Sequence, residues 1–221
     1  MKIIARIRTD FKEKFGIPRQ SGIADDFIST VVFEPEYRVK EALRGLEGYS
    51  HLWLIWEFSE AKRDGFSPTV RPPRLGGNKR MGVFATRSPF RPNPIGLSSV
   101  KLVDICDTKD AGTVLLVRGA DLLDGTPIYD IKPYLAFTDS HPDATGGFAD
   151  EVKDYSLRVN FPDDLIKKIP RDKCEGLIKI LECDPRPQYI RDGDRTFTFS
   201  FANYEISFIV DGGILTVTNI E

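Results

Sequence analysis

The chain has 221 residues and a formal net charge of −2, from 31 Lys and Arg against 33 Asp and Glu. With 41% hydrophobic and 29% charged residues it has ordinary globular composition, which excludes disordered, collagen-like and membrane-spanning classes. Three scattered cysteines (Cys106, Cys174, Cys183) fit a reducing cytoplasm, and with only His51 and His141 as histidines no metal site is expected.

Residues 2–8 alternate polar and apolar and read as a first strand, not a signal peptide. Residues 10–26 are polar and turn-rich, broken by Gly16, Pro18 and Gly22. Phe27–Phe33 is β-branched and predicts a strand; Val39–Leu46 predicts a short helical turn. The aromatic run Tyr49–Phe58 predicts a buried strand, with Trp53 and Trp56 on opposite faces and His51 as a core or edge residue. Further strands are expected at Val83–Thr86, Leu97–Ile105, Thr113–Gly119 and Ile128–Tyr134. Short strands between Gly and Pro turns favour a β-barrel or a strongly curved sheet over residues 1–150. His141 reads as a solvated loop residue.

From about residue 151 to 221 the pattern becomes a small α+β domain. Asp163 is placed to cap a helix. Within 172–183, Cys174, Leu177, Ile178 and Leu181 form one apolar helical face. Strands at 196–201, 204–210 and 214–218 follow, the last two joined across Asp211-Gly212-Gly213. The whole is mainly β.

Three stretches carry chemistry. Residues 65–103 hold seven Lys and Arg (Arg71, Arg74, Lys79, Arg80, Arg87, Arg91, Lys101) and no acid, so this segment is +7 and the remainder −9. Dense proline stiffens it and glycine admits close approach, as a loop holding a polyanion or nucleotide requires. Asp121–Tyr134 (DLLDGTPIYDIKPY) contains a tight turn at Asp124-Gly125-Thr126-Pro127, then Asp130 and Lys132 on one strand face, as a surface ion pair or at a site mouth. Residues 15–22 (FGIPRQSG) present Arg19 and Gln20 from a turn bracketed by Pro18 and Gly22. The chain has no GxGxxG after a strand, no GxxxxGK[ST] and no GxSxG. The residues alone reach a β-rich domain with a basic, rigid nucleotide-like site and a small accessory domain.

GYSHLWLIWEF (48–58), TVRPPRLGGNKRMGVFATRSPFRPNPIGLSSV (69–100), DLLDGTPIYDIKPY (121–134) and KEKFGIPRQ (12–20) together resemble the TsaA/YaeB-like family, and CDPRPQY (183–189) resembles a motif of its C-terminal domain. The resemblance runs from residue 1 to about 145. It implies an S-adenosylmethionine-dependent tRNA methyltransferase of the TrmO type, against which stand a noncatalytic RNA-binding barrel and a methyltransferase acting on a different acceptor. Its β-barrel binds the donor outside any Rossmann fold, near the subunit interface of a homodimer. The implied acceptor is N6 of threonylcarbamoyl-adenosine at position 37, in the tRNA anticodon loop. Carried over, the donor site includes Pro18, Arg19 and Gln20, Ser59 and Glu60, Arg87, Leu97, and Asp124, Gly125, Thr126 and Pro127. A different residue stands at Ser59 in family members, which leaves a backbone role there. Asp124 and Asp130 are the candidate proton acceptors, with Asp121 a third. Arg71, Arg74, Lys79, Arg80 and Arg91 are candidate contacts to RNA phosphates or to the threonyl carboxylate. Arg186 and Tyr189 are candidates for a phosphate contact and a stacking surface.

Overall fold

The computed structural model describes residues 1–61, 65–75, 79–186 and 195–221. Six antiparallel strands close into a barrel in the order β1 (Ala5–Arg8), β2 (Ile28–Phe33), β7 (Gly112–Arg118), β6 (Ile95–Thr108), β3 (His51–Glu57) and β8 (Pro127–Pro133). Between β3 and β6 a two-stranded ribbon pairs β4 (Thr69–Val70) with β5 (Met81–Gly82). Closure is made by β1, which pairs with β2 through Ala5↔Phe33 and with β8 through Ala5↔Ile128.

Period-two alternation builds the barrel interior. Along β3, Leu52, Leu54 and Trp56 are buried while His51, Trp53, Ile55 and Glu57 are partly open. The interior also takes Ala5, Ile7, Val31, Val100, Leu115, Val117 and Ile128. Each fully buried aliphatic side chain contributes about 1.5–3 kcal/mol relative to exposure, so the register is strongly specified. Gly96 is demanded by this packing: a Cβ there would lie 2.2 Å from the Trp56 ring. His51 bonds Ser50 Oγ at 2.9 Å and His141 is exposed, as expected.

A second sheet has the order β10 (Phe197–Phe201), β11 (Tyr204–Asp211), β12 (Ile214–Ile220), β9 (Arg158–Asn160), with β9 parallel to β12. Asp211 pairs with Ile214 across Gly212 and Gly213, whose φ of 52° and 82° suit a two-residue primed turn. Three α-helices are described, α1 (Ala136–Asp139), α2 (Asp163–Ile166) and α3 (Arg171–Glu182). α3 closes the second core with Leu177, Ile180 and Leu181 against Phe199, Phe201 and Phe208.

This core is not made from the C-terminal residues alone. The stretch 11–27, polar and turn-rich in sequence, leaves β1 and places Phe11, Phe15, Ile17, Ala24 and Phe27 in or against it. It returns to the barrel as β2. A Cβ at Gly176 of α3 would lie 2.2 Å from the Phe27 ring, so the helix sits on that ring only because residue 176 is glycine. Ala202 N–H donates to Asp10 O at 2.8 Å, Lys173 pairs with Asp10, and Lys179 lies 3.0 Å from Asp25 and 2.8 Å from Asp26.

Three local expectations are corrected. Val83–Ala85 is a 3₁₀ turn and not a strand, because Thr86 Oγ1 donates to Val83 O at 2.8 Å and turns the backbone out of a ladder. Asp163 is the first residue of α2, with Pro162 at the cap position and no side-chain cap bond; its fixed φ serves there. The face of α3 is centred on Leu177, Ile180 and Leu181, with Ile178 only partly buried, since positions three and four apart share a face and adjacent ones do not.

Candidate functional site

Rigidity at the 18–22 turn comes first from sequence: Pro18 fixes its entry and is buried. Gly22 N–H then donates to Gly119 O at 2.9 Å, docking the turn on the end of β7. Here the barrel brings three separate sequence motifs together. Arg87 Nη1 of ATRS donates to Gln20 Oε1 of PRQ. Behind them stands Asp121, whose Oδ1 accepts from Ser98 Oγ at 2.5 Å; Ser98 Oγ in turn accepts from Trp56 Nε1 at 2.9 Å. Ser98 is fully buried, so an indole and a hydroxyl deep in the barrel fix the carboxylate's direction. Burial pushes the Asp121 carboxyl above its ordinary value. The Ser98 hydroxyl, its own backbone, the Arg87 charge and the Ser21 backbone oppose that shift without cancelling it.

Arg19 donates from Nη2 to the carbonyls of Asp184 at 2.9 Å and Arg186 at 3.2 Å, tying the turn to the segment after α3. Glu60, at the end of β3, is held by Lys14 through its carboxylate at 3.2 Å and its carbonyl at 3.1 Å, while Ser59 is exposed. Leu97 precedes Ser98 on β6 and so points outward. It is 56% exposed and pairs with Ile55.

The DGTP turn belongs to a different set of bonds. Asp124 Oδ1 accepts from Thr9 N–H at 2.9 Å and Oδ2 from Lys12 Nζ at 2.7 Å. Gly125, at φ 76°, donates its N–H to Ile7 O and accepts from Arg6 Nη1. Thr126 and Pro127 are buried. The turn therefore clamps β1, and both Asp124 oxygens are spent on the fold. An open polar groove beside it is lined by Arg8, Lys12, Asp124 and Lys173. Asp130 pairs with Lys132 at 3.0 Å and accepts from Ile131 N–H at 2.9 Å, the surface ion pair of the two sequence readings. Asp124 and Asp130 stand outside the Gln20–Arg87 cluster, and the third candidate carboxylate, Asp121, lies beside it. Its neighbourhood depends on the pairing of Ser98 with Trp56, which DLLD alone does not encode.

The basic segment divides by role. Arg91 Nη1 donates to Thr86 O at 3.0 Å and braces the loop that carries Arg87. Arg71, Lys79 and Arg80 are exposed, with Arg80 Nη1 also donating to Thr69 Oγ1 at 3.2 Å. Arg186 is not a surface cation. It grips Asp184 with Nε at 2.8 Å and Nη2 at 2.9 Å and is 14% exposed in its side chain, against 2% for Asp184. Burial would raise the Asp184 carboxyl, but the Arg186 and Tyr155 bonds overcome it and hold the group below its usual value. The Arg74 side chain and Tyr189 lie outside the described residues. Among the described residues no acidic, histidine and cysteine cluster could hold a metal, and no helix is long and apolar enough to cross a membrane.

Residues 6–140 match the family model described as the tRNA-methyltransferase O N-terminal domain, and residues 154–221 match that of the TrmO C-terminal domain. The tRNA (adenine(37)-N6)-methyltransferase of Escherichia coli is 44% identical over 199 residues, 87% of this chain and 84% of its own length. The protein of the same name from Eikenella corrodens is 43% identical over 76% of this chain and 95% of its own. A Pseudomonas aeruginosa relative, provisionally named an S-adenosylmethionine-dependent methyltransferase, is 42% identical over 84% of this chain and 81% of its own. A crystal structure of TrmO from Pseudomonas aeruginosa superposes with a TM-score of 0.76 at 31% identity, covering 99% of this chain and 97% of that one.

Proposed function

The chain belongs to the tRNA-methyltransferase O family, as an S-adenosylmethionine-dependent tRNA (adenine-N6)-methyltransferase, and we propose that its acceptor is N6 of threonylcarbamoyl-adenosine at position 37. The observation that carries the site reading is the meeting of Gln20, Arg87 and Asp121 at one place, next to an acid-free stretch of chain. An RNA-binding barrel without catalysis has no use for that meeting.

The residues suit the donor. Arg87 offers a guanidinium to a carboxylate, Gln20 an amide to a polar edge, and Asp121 a charge opposite to a sulfonium. S-adenosylmethionine, when bound, supplies a methyl group on a positively charged sulfur. The chain's part is positioning: Pro18, Pro89 and the Arg91 brace hold the loops still, so an acceptor nitrogen aligned with the methyl carbon stays aligned. As the N–C bond forms and the sulfur–methyl bond breaks, that nitrogen becomes positively charged and must give up its proton. Asp121, whose direction Ser98 fixes, is the carboxylate we assign to stabilise that charge and accept the proton. Asp124, Gly125, Thr126 and Pro127 support the site by anchoring β8 to β1. An anticodon-loop base is already unpaired and enters a pocket at low cost.

We place the enzyme in the cytoplasm, in keeping with three cysteines that form no disulfide. We take its working form as a homodimer, for which the exposed Leu97 and Val103 of β6 are an apolar surface. The C-terminal unit, tied to the donor turn through Arg19, assists tRNA binding. Incubation with methyl-labelled donor and two tRNAs, with and without the threonylcarbamoyl group, tests the acceptor. Label is expected only in the modified tRNA; equal labelling of both overturns the specific acceptor, and labelling of neither overturns the enzyme reading.

A further inference from the structure

The β4–β5 ribbon carries a feature that neither the donor cluster nor the fold explains. Phe66 and Phe84 stack on one another with centroids 6.2 Å apart and planes at 27°, yet they are 54% and 72% exposed. The ribbon puts them together: Thr69 pairs with Gly82, and Val83 N–H donates to Pro68 O at 2.9 Å, which brings the chain before β4 against the turn after β5. A pair of large aromatic rings left in water forfeits most of the burial that would stabilise it.

Beyond the other end of the paired residues Val70 and Met81, the chain continues into Arg71 and out of Arg80, both exposed, with Lys79 beside them. Like charges on facing strands are destabilising. No acid lies anywhere in residues 65–103 to offset them. The ribbon thus presents an aromatic face and concentrated positive charge a few residues apart. A nucleotide has the complementary chemistry, a π-face joined to a phosphate.

We propose that the β4–β5 ribbon is a nucleotide-reading arm: an unpaired base of the RNA stacks on the Phe84 and Phe66 pair while adjoining phosphates rest on Arg71 and Arg80. Phe84 is three residues from Arg87, at most ~10 Å along the chain, which sets the arm beside the donor cluster. The inference rests on the RNA-methyltransferase reading and adds to it the surface that holds the substrate.

Its test uses the full-length chain and tRNA. For Phe84→Ala, the tRNA Kd is expected to rise roughly 5- to 150-fold, the range of losing one base–aromatic stack. KM should rise with kcat retained at saturating tRNA and donor affinity unchanged. Phe84→Trp should restore tight binding. Arg71→Ala should instead lower the slope of log K against log salt by about one, which Phe84→Ala should leave alone. Phe137→Ala, at a still more exposed phenylalanine on α1, controls for loss of a surface ring. If wild type methylates tRNA and Phe84→Ala binds and methylates it equally well, the arm is wrong while the enzyme reading stands. A wild type that neither binds nor methylates tRNA overturns both. If Phe84→Ala changes sedimentation mass and not tRNA affinity, the rings serve contact between copies, which also overturns the proposal.

Discussion

The Gln20–Arg87–Asp121 cluster and the β4–β5 ribbon lie in the same family-matched region and are built on opposite principles. In the cluster the named groups are held by bonds already made: Arg87 to Gln20, Asp121 to Ser98, Arg91 to backbone carbonyls. The ribbon leaves its cations and its rings facing water. A site that must hold a small donor within a fraction of an ångström gains from bonds already made. A surface that must catch a flexible polyanion gains from charge left uncompensated. The chain's overall charge of −2 conceals this division, since the positive stretch is +7 and the rest −9.

The largest effect that sharpens this comparison lies behind the cluster. Asp184→Ala leaves Arg186 buried without its carboxylate and should cost about 3–5 kcal/mol in denaturant unfolding. Because the Asp184 pKa is lowered in the folded state, its contribution is present above the ordinary carboxylate value of about 3.9 and is lost as pH falls through the lower folded value. The variant should therefore show a smaller stability change than wild type across that acid range. A variant as stable as wild type would mean that the Arg19 contacts to carbonyls 184 and 186 rest on nothing firm.

Next in size, donor affinity in wild type should rise with pH through a value above the usual carboxylate range, as Asp121 ionises and engages Arg87. Asp121→Asn should remove that limb and weaken donor binding at neutral pH, measured by calorimetry across pH. A limb unchanged in the variant would assign the titration to another group. Smaller still, Asp130→Asn breaks only a surface ion pair and should alter stability by less than about 1 kcal/mol, with turnover near wild type. A large loss of kcat there would restore Asp130 as a reacting group.

The barrel was legible because alternation in segments such as HLWLIWE reports directly which side faces inward. The hairpin at Gly212-Gly213 was legible because only a primed turn wants those residues. The strap at 11–27 was not, since Phe11, Phe15, Ile17, Ala24 and Phe27 follow no single period. They pack against residues more than 150 positions away. The site was legible as motifs and not as roles. DLLD offers two carboxylates, and which one is shielded behind Arg87 depends on the β3–β6 register that places Ser98 beneath Trp56. Arg186 resembles any cation in CDPRPQY until its partner Asp184 is seen to be buried.

The claim that donor and RNA are held by different parts of the basic segment is tested most directly by calorimetric titration of S-adenosylmethionine into Arg87→Ala and Arg71→Ala. Loss of hydrogen bonds to a charged group contributes ~1.5–3 kcal/mol, so Arg87→Ala should weaken donor binding by roughly 10- to 150-fold while Arg71→Ala leaves it at the wild-type value. Equal weakening in both variants, or in neither, would contradict the division.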